Sequence, residues 1–415
     1  MNVLFVHNNF PAQFRNLATH LARSAEHQVA AIGAEGAGSI DNVQLHRYQM
    51  PYFNVAATHP FARRFDVECR RAEQVLFAIS ELKASGFEAD AIIAHCGWGE
   101  TLPLRAAFPR ARIATYCEFY YRADGQDVHF EDESPRLGVD GVVTLQCKNA
   151  STLLALAESD LGLSPTYWQR HTYPDEYQAK IEVVHEGVDM EKLRPDETAR
   201  FTLPGGAVLH GGQEIVTFVA RDLEPMRGYH VFMRALPLIL QSRPNARIVV
   251  VGGDGVSYGA APPQGTTWKA VYFDEVAPWL DLSRVHFLPP LPYEDYVRLL
   301  QVSTAHVYLT YPFVLSWSLV EAMAIGCTII GSDTSPVQEV IEHGYNGWLT
   351  PFHDSEALAR TVVAALSQPW LVAGFGAAAR TTAFERFEKS ACVAQALRVL
   401  GLDDESLRQL DEAQG

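Results

Sequence analysis

An α/β fold of two successive doubly wound domains is predicted by three features of the sequence. Short apolar runs alternate with amphipathic helical patterns, and the alternation restarts after a stretch rich in Pro, Gly and polar residues at 193–212. The chain, at 415 residues, is also too long for one ordinary hydrophobic core. The resulting domains are 1–197 and 198–389, with a last helix at about 390–415 as a candidate to pack back on the first.

The elements follow in order. Asn2-Val-Leu-Phe-Val6 is an apolar β-rich run, the polar turn His7-Asn-Asn-Phe-Pro11 follows it, and residues 12–23 carry helical spacing. A strand at 27–32, a long amphipathic helix at 62–85 and a buried strand at 91–95 come next. Strands at 112–116 and 141–145, a helix at 148–157 and a strand near 180–184 complete the first half. The second half repeats the pattern with strands at 215–220, 247–252, 285–288, 305–309 and 328–331, and helices at 229–241, 293–301 and 318–325. Residues 257–281 form a loop longer than a compact turn requires.

Composition excludes several classes of function. The net charge of −16 argues against nonspecific binding to nucleic acid or anionic lipid, so an anionic substrate needs a local cationic pocket. No run approaches the roughly 18 apolar residues of a membrane span. Met1 leads straight into a strand-like run with no leader pattern, so the expectation is a soluble, cytoplasmic protein. The basic, apolar stretch Pro60-Phe-Ala-Arg-Arg-Phe65 offers a peripheral membrane contact, against which its acidic neighbours favour a solvated helix. The six cysteines have neither CxxC pairing nor zinc-site spacing and read as mostly reduced core residues.

In open α/β sheets ligands bind beyond the carboxyl ends of the strands. At one such end lies Arg221-Asp-Leu-Glu-Pro-Met-Arg227-Gly228, whose two guanidinium groups are fork-shaped donors for a diphosphate. The alternative is a surface pair bonded to Asp222 and Glu224. The loop Tyr311-Pro-Phe-Val-Leu-Ser-Trp-Ser318 precedes an apolar helix, so its amides near Ser316, Trp317 and Ser318 are candidates to hold phosphate. Glu321 is a candidate for ribose hydroxyls, or the partner of Ser318 in a capping box. Gly252-Gly-Asp-Gly255, with Gly253 and Asp254, resembles a phosphate loop without the full glycine spacing. In the first half Asn9, His95, Cys117 and Glu118 stand at strand ends. His95 and Glu118 are candidates for acid, base or hydroxyl-binding roles, and Trp98 and Phe119-Tyr-Tyr121 for stacking on sugar. Each also has a plain structural role as a loop hydrogen-bonder or packing aromatic.

Together these segments resemble the retaining nucleotide-sugar glycosyltransferases of family 4, which have the GT-B fold of two Rossmann-like domains facing each other across a cleft. The likeness is best over residues 181–350. It is carried by Ile181-Glu-Val-Val-His-Glu-Gly-Val-Asp189, by Arg221 with Arg227-Gly228, and by Val249-Val-Val-Gly-Gly-Asp-Gly255. Glu321-Ala-Met-Ala-Ile-Gly326, Ile329-Ile-Gly-Ser332, Glu339-Val-Ile341 and Asn346-Gly347 complete the set. The resemblance implies a UDP- or GDP-sugar donor, no metal and no further cofactor. Arg221 and Arg227 would then sit on the diphosphate, the amides near Ser316–Ser318 on phosphate and donor sugar, and Glu321 on ribose. The acceptor stays open among a glycan, a lipid-linked intermediate, a protein and a small metabolite, and no oligomeric state is implied. The sequence departs from the family in four places. Phe313 stands at the first position of its paired glutamates, and Arg227 replaces its usual lysine. Asn8-Asn9 replaces its Gly-Gly loop, and Thr115-Tyr-Cys-Glu118 stands where a donor-sugar histidine is common, which points to Glu118 or Cys117 for that contact. The alternatives are a noncatalytic nucleotide-sugar sensor or partner subunit, and a GT-B epimerase or phosphorylase. A phosphorylase needs a cofactor lysine in a motif that neither Lys269 nor Lys389 matches.

Overall fold

The computed structural model describes residues 1–131 and 136–403. The chain forms two compact units, residues 1–187 with the stretch from Lys389 onward, and Val188–Glu388. The part of the expected final helix beyond residue 403 lies outside the described residues.

The first unit is built on a seven-stranded parallel sheet. In chain order its strands are β1 (Asn2–Val6), β2 (Gln28–Ala34), β3 (Val43–Tyr48), β4 (Ala91–His95), β5 (Arg112–Tyr116), β6 (Leu161–Ser164) and β7 (Ile181–Val183), arranged 3-2-1-4-5-6-7. Successive side chains of β1 feed opposite faces, as strand geometry requires. Val3 and Phe5 join Phe14, Leu17 and Leu21 in one core. Leu4 and Val6 join Val75, Ile79 and Leu82 of the helix Arg63–Ala84 in the other. The helix Lys389–Leu400 closes the first of these cores with Val393, Ala396 and Leu400.

The second unit carries the two-stranded antiparallel ribbon β8 (Arg200–Thr202) and β9 (Val208–His210), followed by a six-stranded parallel sheet. That sheet contains β10 (Ile215–Asp222), β11 (Arg247–Gly253), β12 (Val285–Leu288), β13 (Ala305–Tyr308), β14 (Ile329–Ser332) and β15 (Trp348–Thr350), in the order 12-11-10-13-14-15. Strand order therefore reverses between β1 and β4 in the first unit and between β10 and β13 in the second. Such switch points are where doubly wound sheets leave a crevice for ligands.

Several expectations need correction. Residues 141–145, expected as a strand, lie in the helix Val139–Cys147, and the sheet position beside β5 is taken by Leu161–Ser164 instead. A short β-branched apolar run does not distinguish strand from helix. The long loop at 257–281 contains the helix Trp268–Val276. The polar stretch at 193–212, which its composition marks as a domain linker, is packed rather than free: Leu193 is buried in the second unit, and so are Phe201 and Leu209 of the ribbon. Arg380 holds the carbonyls of Leu193, at 2.6 Å, and Met190, at 3.0 Å. The division consequently falls after Gly187, ahead of residue 197. No single helix among the described residues is long and apolar enough to cross a membrane.

Candidate active site

At the β10/β13 switch point two loops are locked together. After β10 the chain makes a 3-10 turn, Pro225–Arg227, capped by Gly228 at φ 69° ahead of the helix Tyr229–Ser242. A Cβ at Gly228 would lie 2.3 Å from the Cβ of Leu309, so both the left-handed backbone and the close approach demand glycine. The Tyr311 amide donates to the Met226 carbonyl at 3.0 Å. This contact leaves Arg227 over the second loop, where its guanidinium donates to Thr310 Oγ1 at 2.9 Å and to the Val314 carbonyl at 3.4 Å. The rings of Tyr258 and Phe313 lie 5.7 and 6.0 Å from it. Farther along the same loop the Ser316 amide donates to Tyr308 Oη at 2.9 Å, and Ser316 Oγ accepts from the Ser318 amide at 3.3 Å as the N-cap of the helix Trp317–Ile325. Arg227 and a helix N-terminus thus share one short loop, an arrangement suited to a phosphate group.

Arg221, the penultimate residue of β10, is exposed, and among the described residues no hydrogen bond or ion pair ties its side chain to this cluster. Pairing of the arginines with Asp222 and Glu224 is not what those carboxylates do. Asp222 accepts from the Gly255 amide at 3.1 Å and from the Ser257 hydroxyl. Glu224 accepts from the amides of Ser257 and Gly259 at 3.3 and 3.1 Å, and burial holds its carboxyl above the usual range. These bonds pin the loop after β11. A Cβ at Gly253 would meet Asp222 Oδ1 at 2.5 Å, so close packing on Asp222 accounts for that glycine. Asp254 forms an ion pair with Lys269 at 3.3 Å.

Glu321 does not cap its helix, because the cap is Ser316, two residues earlier than the capping box places it. Its carboxylate accepts instead from Tyr293 Oη at 2.8 Å and Tyr296 Oη at 3.0 Å, while burial pushes its carboxyl up. Phe313 is 2% exposed and packs 5.0 Å from the Tyr258 ring. Trp317 is 44% exposed at the helix start.

At the β1/β4 switch point of the first unit two histidines meet, with ring centres 5.1 Å apart. His95 accepts the Gly97 amide at Nδ1, which leaves its proton at Nε2, 3.4 Å from Glu118 Oε2. That is an ion-pair separation rather than a tight hydrogen bond. Burial opposes a charge on His95, but the Glu118 carboxylate outweighs it and raises the imidazole above its ordinary value. Glu118 in turn is held below the usual carboxylate range, with His95 outweighing burial. Gln13 donates to Glu118 Oε1 at 3.1 Å, and Gln169 to the Glu118 carbonyl at 2.8 Å. His7, accepting the Asn9 amide at 2.9 Å, is pushed down to about 3 by burial first and His95 second. The result is a neutral His7 beside a His95–Glu118 pair able to orient a hydroxyl or exchange its proton. Asn9 is exposed at the turn. Cys117 is fully buried with its thiol donating to the Thr115 carbonyl, so of the two candidates at this strand end Glu118 presents the polar atoms. Gln13, Tyr116, His185 and Glu186 line an adjoining hollow.

Comparison with known proteins bears on both units. The Glycosyl transferase family 4 group matches residues 25–193, and the Glycosyl transferases group 1 matches residues 205–382. The chain belongs to the GT-B glycosyltransferases of the family 4 type. Relatives of this chain include the D-inositol 3-phosphate glycosyltransferase of Streptomyces scabiei, 28% identical over 48% of this chain and 44% of that protein. The enzyme of the same name from Mycobacterium ulcerans is 29% identical over 44% of this chain and 37% of its own length. The matched part spans less than half the length of these curated relatives. Among solved structures, sucrose-phosphate synthase from Thermosynechococcus elongatus superimposes over 100% of both chains with a TM-score of 0.71 at 16% identity. Anabaena HepE, solved with UDP and glucose, covers 96% of this chain and 99% of its own, with a TM-score of 0.64 at 16% identity. Both show the GT-B fold.

Sequence reasoning missed several polar residues of these two clusters. His7 carried a signal, being a histidine at the end of the first strand. Gln13, Thr310, Tyr293 and Tyr296 carried none, because their partners lie 105, 83, 28 and 25 residues away in the chain.

Proposed function

We propose that the protein moves a sugar from a UDP- or GDP-sugar to a hydroxyl acceptor, with retention of anomeric configuration and without a metal. The observation that carries this reading is the junction of Arg227, Thr310 and the start of the helix Trp317–Ile325 at the β10/β13 switch point. In that role Arg227, with Arg221 at the rim, neutralises the diphosphate, and the amides around Ser316, Trp317 and Ser318 hold phosphate and donor sugar. Gly253 and Asp254 flank the nucleotide, and Glu321 takes the ribose hydroxyls with the oxygen lone pairs its two tyrosines leave available. The bond between the anomeric carbon and the diphosphate oxygen breaks as the acceptor oxygen bonds to that carbon on the same face, and the acceptor proton passes to the departing diphosphate. Catalysis is then positioning plus charge stabilisation. Glu118, with His95 and Gln13, orients the acceptor hydroxyl, and Asn9 borders it. The names of the curated relatives support glycosyl transfer.

A noncatalytic nucleotide-sugar sensor is the second reading, favoured by Phe313, buried where the family carries its first glutamate. A panel of UDP- and GDP-sugars separates the two. A transferase releases nucleotide diphosphate slowly without acceptor, whereas binding without release throughout the panel assigns the sensor. Glu118→Gln should lower turnover on the order of 100-fold and leave nucleotide affinity intact; turnover at the wild-type rate would remove its role.

A further inference from the structure

We propose that the acceptor carries an oxyanion, and that Arg64, Arg71 and Lys148 of the first unit hold it beside Trp98; this rests on the transferase reading above. In a chain of net charge −16, Arg64 and Arg71 stand beside one indole ring and Lys148 lies near enough to Arg64 to feel its charge. The Arg64 and Arg71 guanidinium carbons stand 5.0 and 5.9 Å from the Trp98 ring centre, and that ring is 6.1 Å from the ring of His95. The cluster therefore adjoins the pair assigned to the acceptor hydroxyl.

Part of this cluster is structural. Arg64 bonds Glu68 and the Gly97 carbonyl, and Arg71 donates to the Trp98 carbonyl at 2.7 Å, so both clamp the turn Cys96–Trp98. Arg71 also faces Tyr48 and the buried Glu100, but a guanidinium has five N–H donors, and these contacts leave others to spare. Among the described residues no hydrogen bond or ion pair holds the Lys148 ammonium. Its ammonium lies 3.4 Å from the Tyr121 ring centre, and burial, with Arg64 beside it, brings it down to about 8. Asp127 and Glu68 act in the opposite sense without cancelling the shift. A half-buried ammonium held next to a second cation gains from an arriving oxyanion. Asp127, raised by burial to about 6, has an Oδ1 with no hydrogen-bond partner among the described residues. It is suited to a ligand hydroxyl, while Trp98 and Tyr121 offer ring faces for a sugar or polyol. The occupant these groups describe is a small hydroxylated molecule bearing phosphate or carboxylate.

The test uses the full chain with saturating UDP, or GDP if that binds more tightly, and inorganic phosphate as probe in calorimetric titration. Wild type should bind phosphate, Lys148→Met should weaken it about tenfold, and Lys148→Arg should stay within about threefold of wild type. Unchanged nucleotide affinity in both variants shows that they fold. Phosphate affinity untouched by Lys148→Met, or abolished by Arg227→Ala alone, overturns the proposal. Failure of the wild type to bind any nucleotide sinks the transferase reading instead, and leaves a Lys148-dependent phosphate site standing. A sugar phosphate and the matching sugar acid, each compared with the neutral sugar as acceptor, then separate phosphate from carboxylate; preference for the neutral sugar overturns the proposal.

Discussion

Arg227→Ala should weaken UDP or GDP binding by about 1.5–3 kcal/mol, the scale of hydrogen bonds to charged groups. At 1.4 kcal/mol per decade this is roughly a 10- to 150-fold rise in Kd. The truncation also has a structural consequence, because Arg227 ties the second loop through Thr310 at 2.9 Å and Val314 at 3.4 Å. Thr310→Val separates the two effects. It removes one neutral acceptor from the guanidinium, costs about 1 kcal/mol of stability and leaves the cation in place. Nucleotide Kd in Thr310→Val should therefore stay within about threefold of wild type. Calorimetric titration of the three proteins with each nucleotide, repeated at raised salt, measures both terms, and the Arg227 contribution should shrink as ionic strength rises. Unchanged affinity in Arg227→Ala would refute the phosphate role. An equal loss in Thr310→Val would show that the arginine acts through loop position alone.

Two further outcomes follow from the geometry. Gly228→Ala should cost about 3 kcal/mol, combining roughly 1–2 for a left-handed alanine with overpacking against Leu309, read from urea denaturation; a loss under about 1 kcal/mol would contradict the locked junction. For His7, held at about 3 against an ordinary 6.5, the unfolded chain binds a proton between those values that the folded chain does not. Its contribution to stability is thus present above 6.5 and lost as pH falls toward 3. Between pH 6.5 and 5 wild type should lose about 1.6 kcal/mol more than His7→Gln, and parallel pH profiles of denaturation midpoint for the two proteins would refute the assignment.

Much of the fold was legible because its signals are local. Strand runs such as Asn2–Val6 and Val285–Leu288, and helices such as Tyr293–Gln301, follow from apolar periodicity. Arg227-Gly228 marks its turn because only glycine tolerates that backbone. The reading failed where local preference was weak: the β-branched stretch within Val139–Cys147 became a helix, and the four-residue strand Leu161–Ser164 took its place in the sheet.

By itself the sequence determined most of the strands and helices, the presence of two doubly wound halves and the strand-end loops where chemistry belongs, since each depends on residues close along the chain. Only the tertiary structure decided which of those loops meet. It placed Arg227 on Thr310, turned Glu321 from a helix cap to the tyrosines at 293 and 296, and stood His7 against His95 beside Glu118. Those choices rest on parallel strands pairing across long stretches of chain. Side chains distant in sequence are thereby brought within hydrogen-bonding reach, and no periodicity in the sequence records that distance.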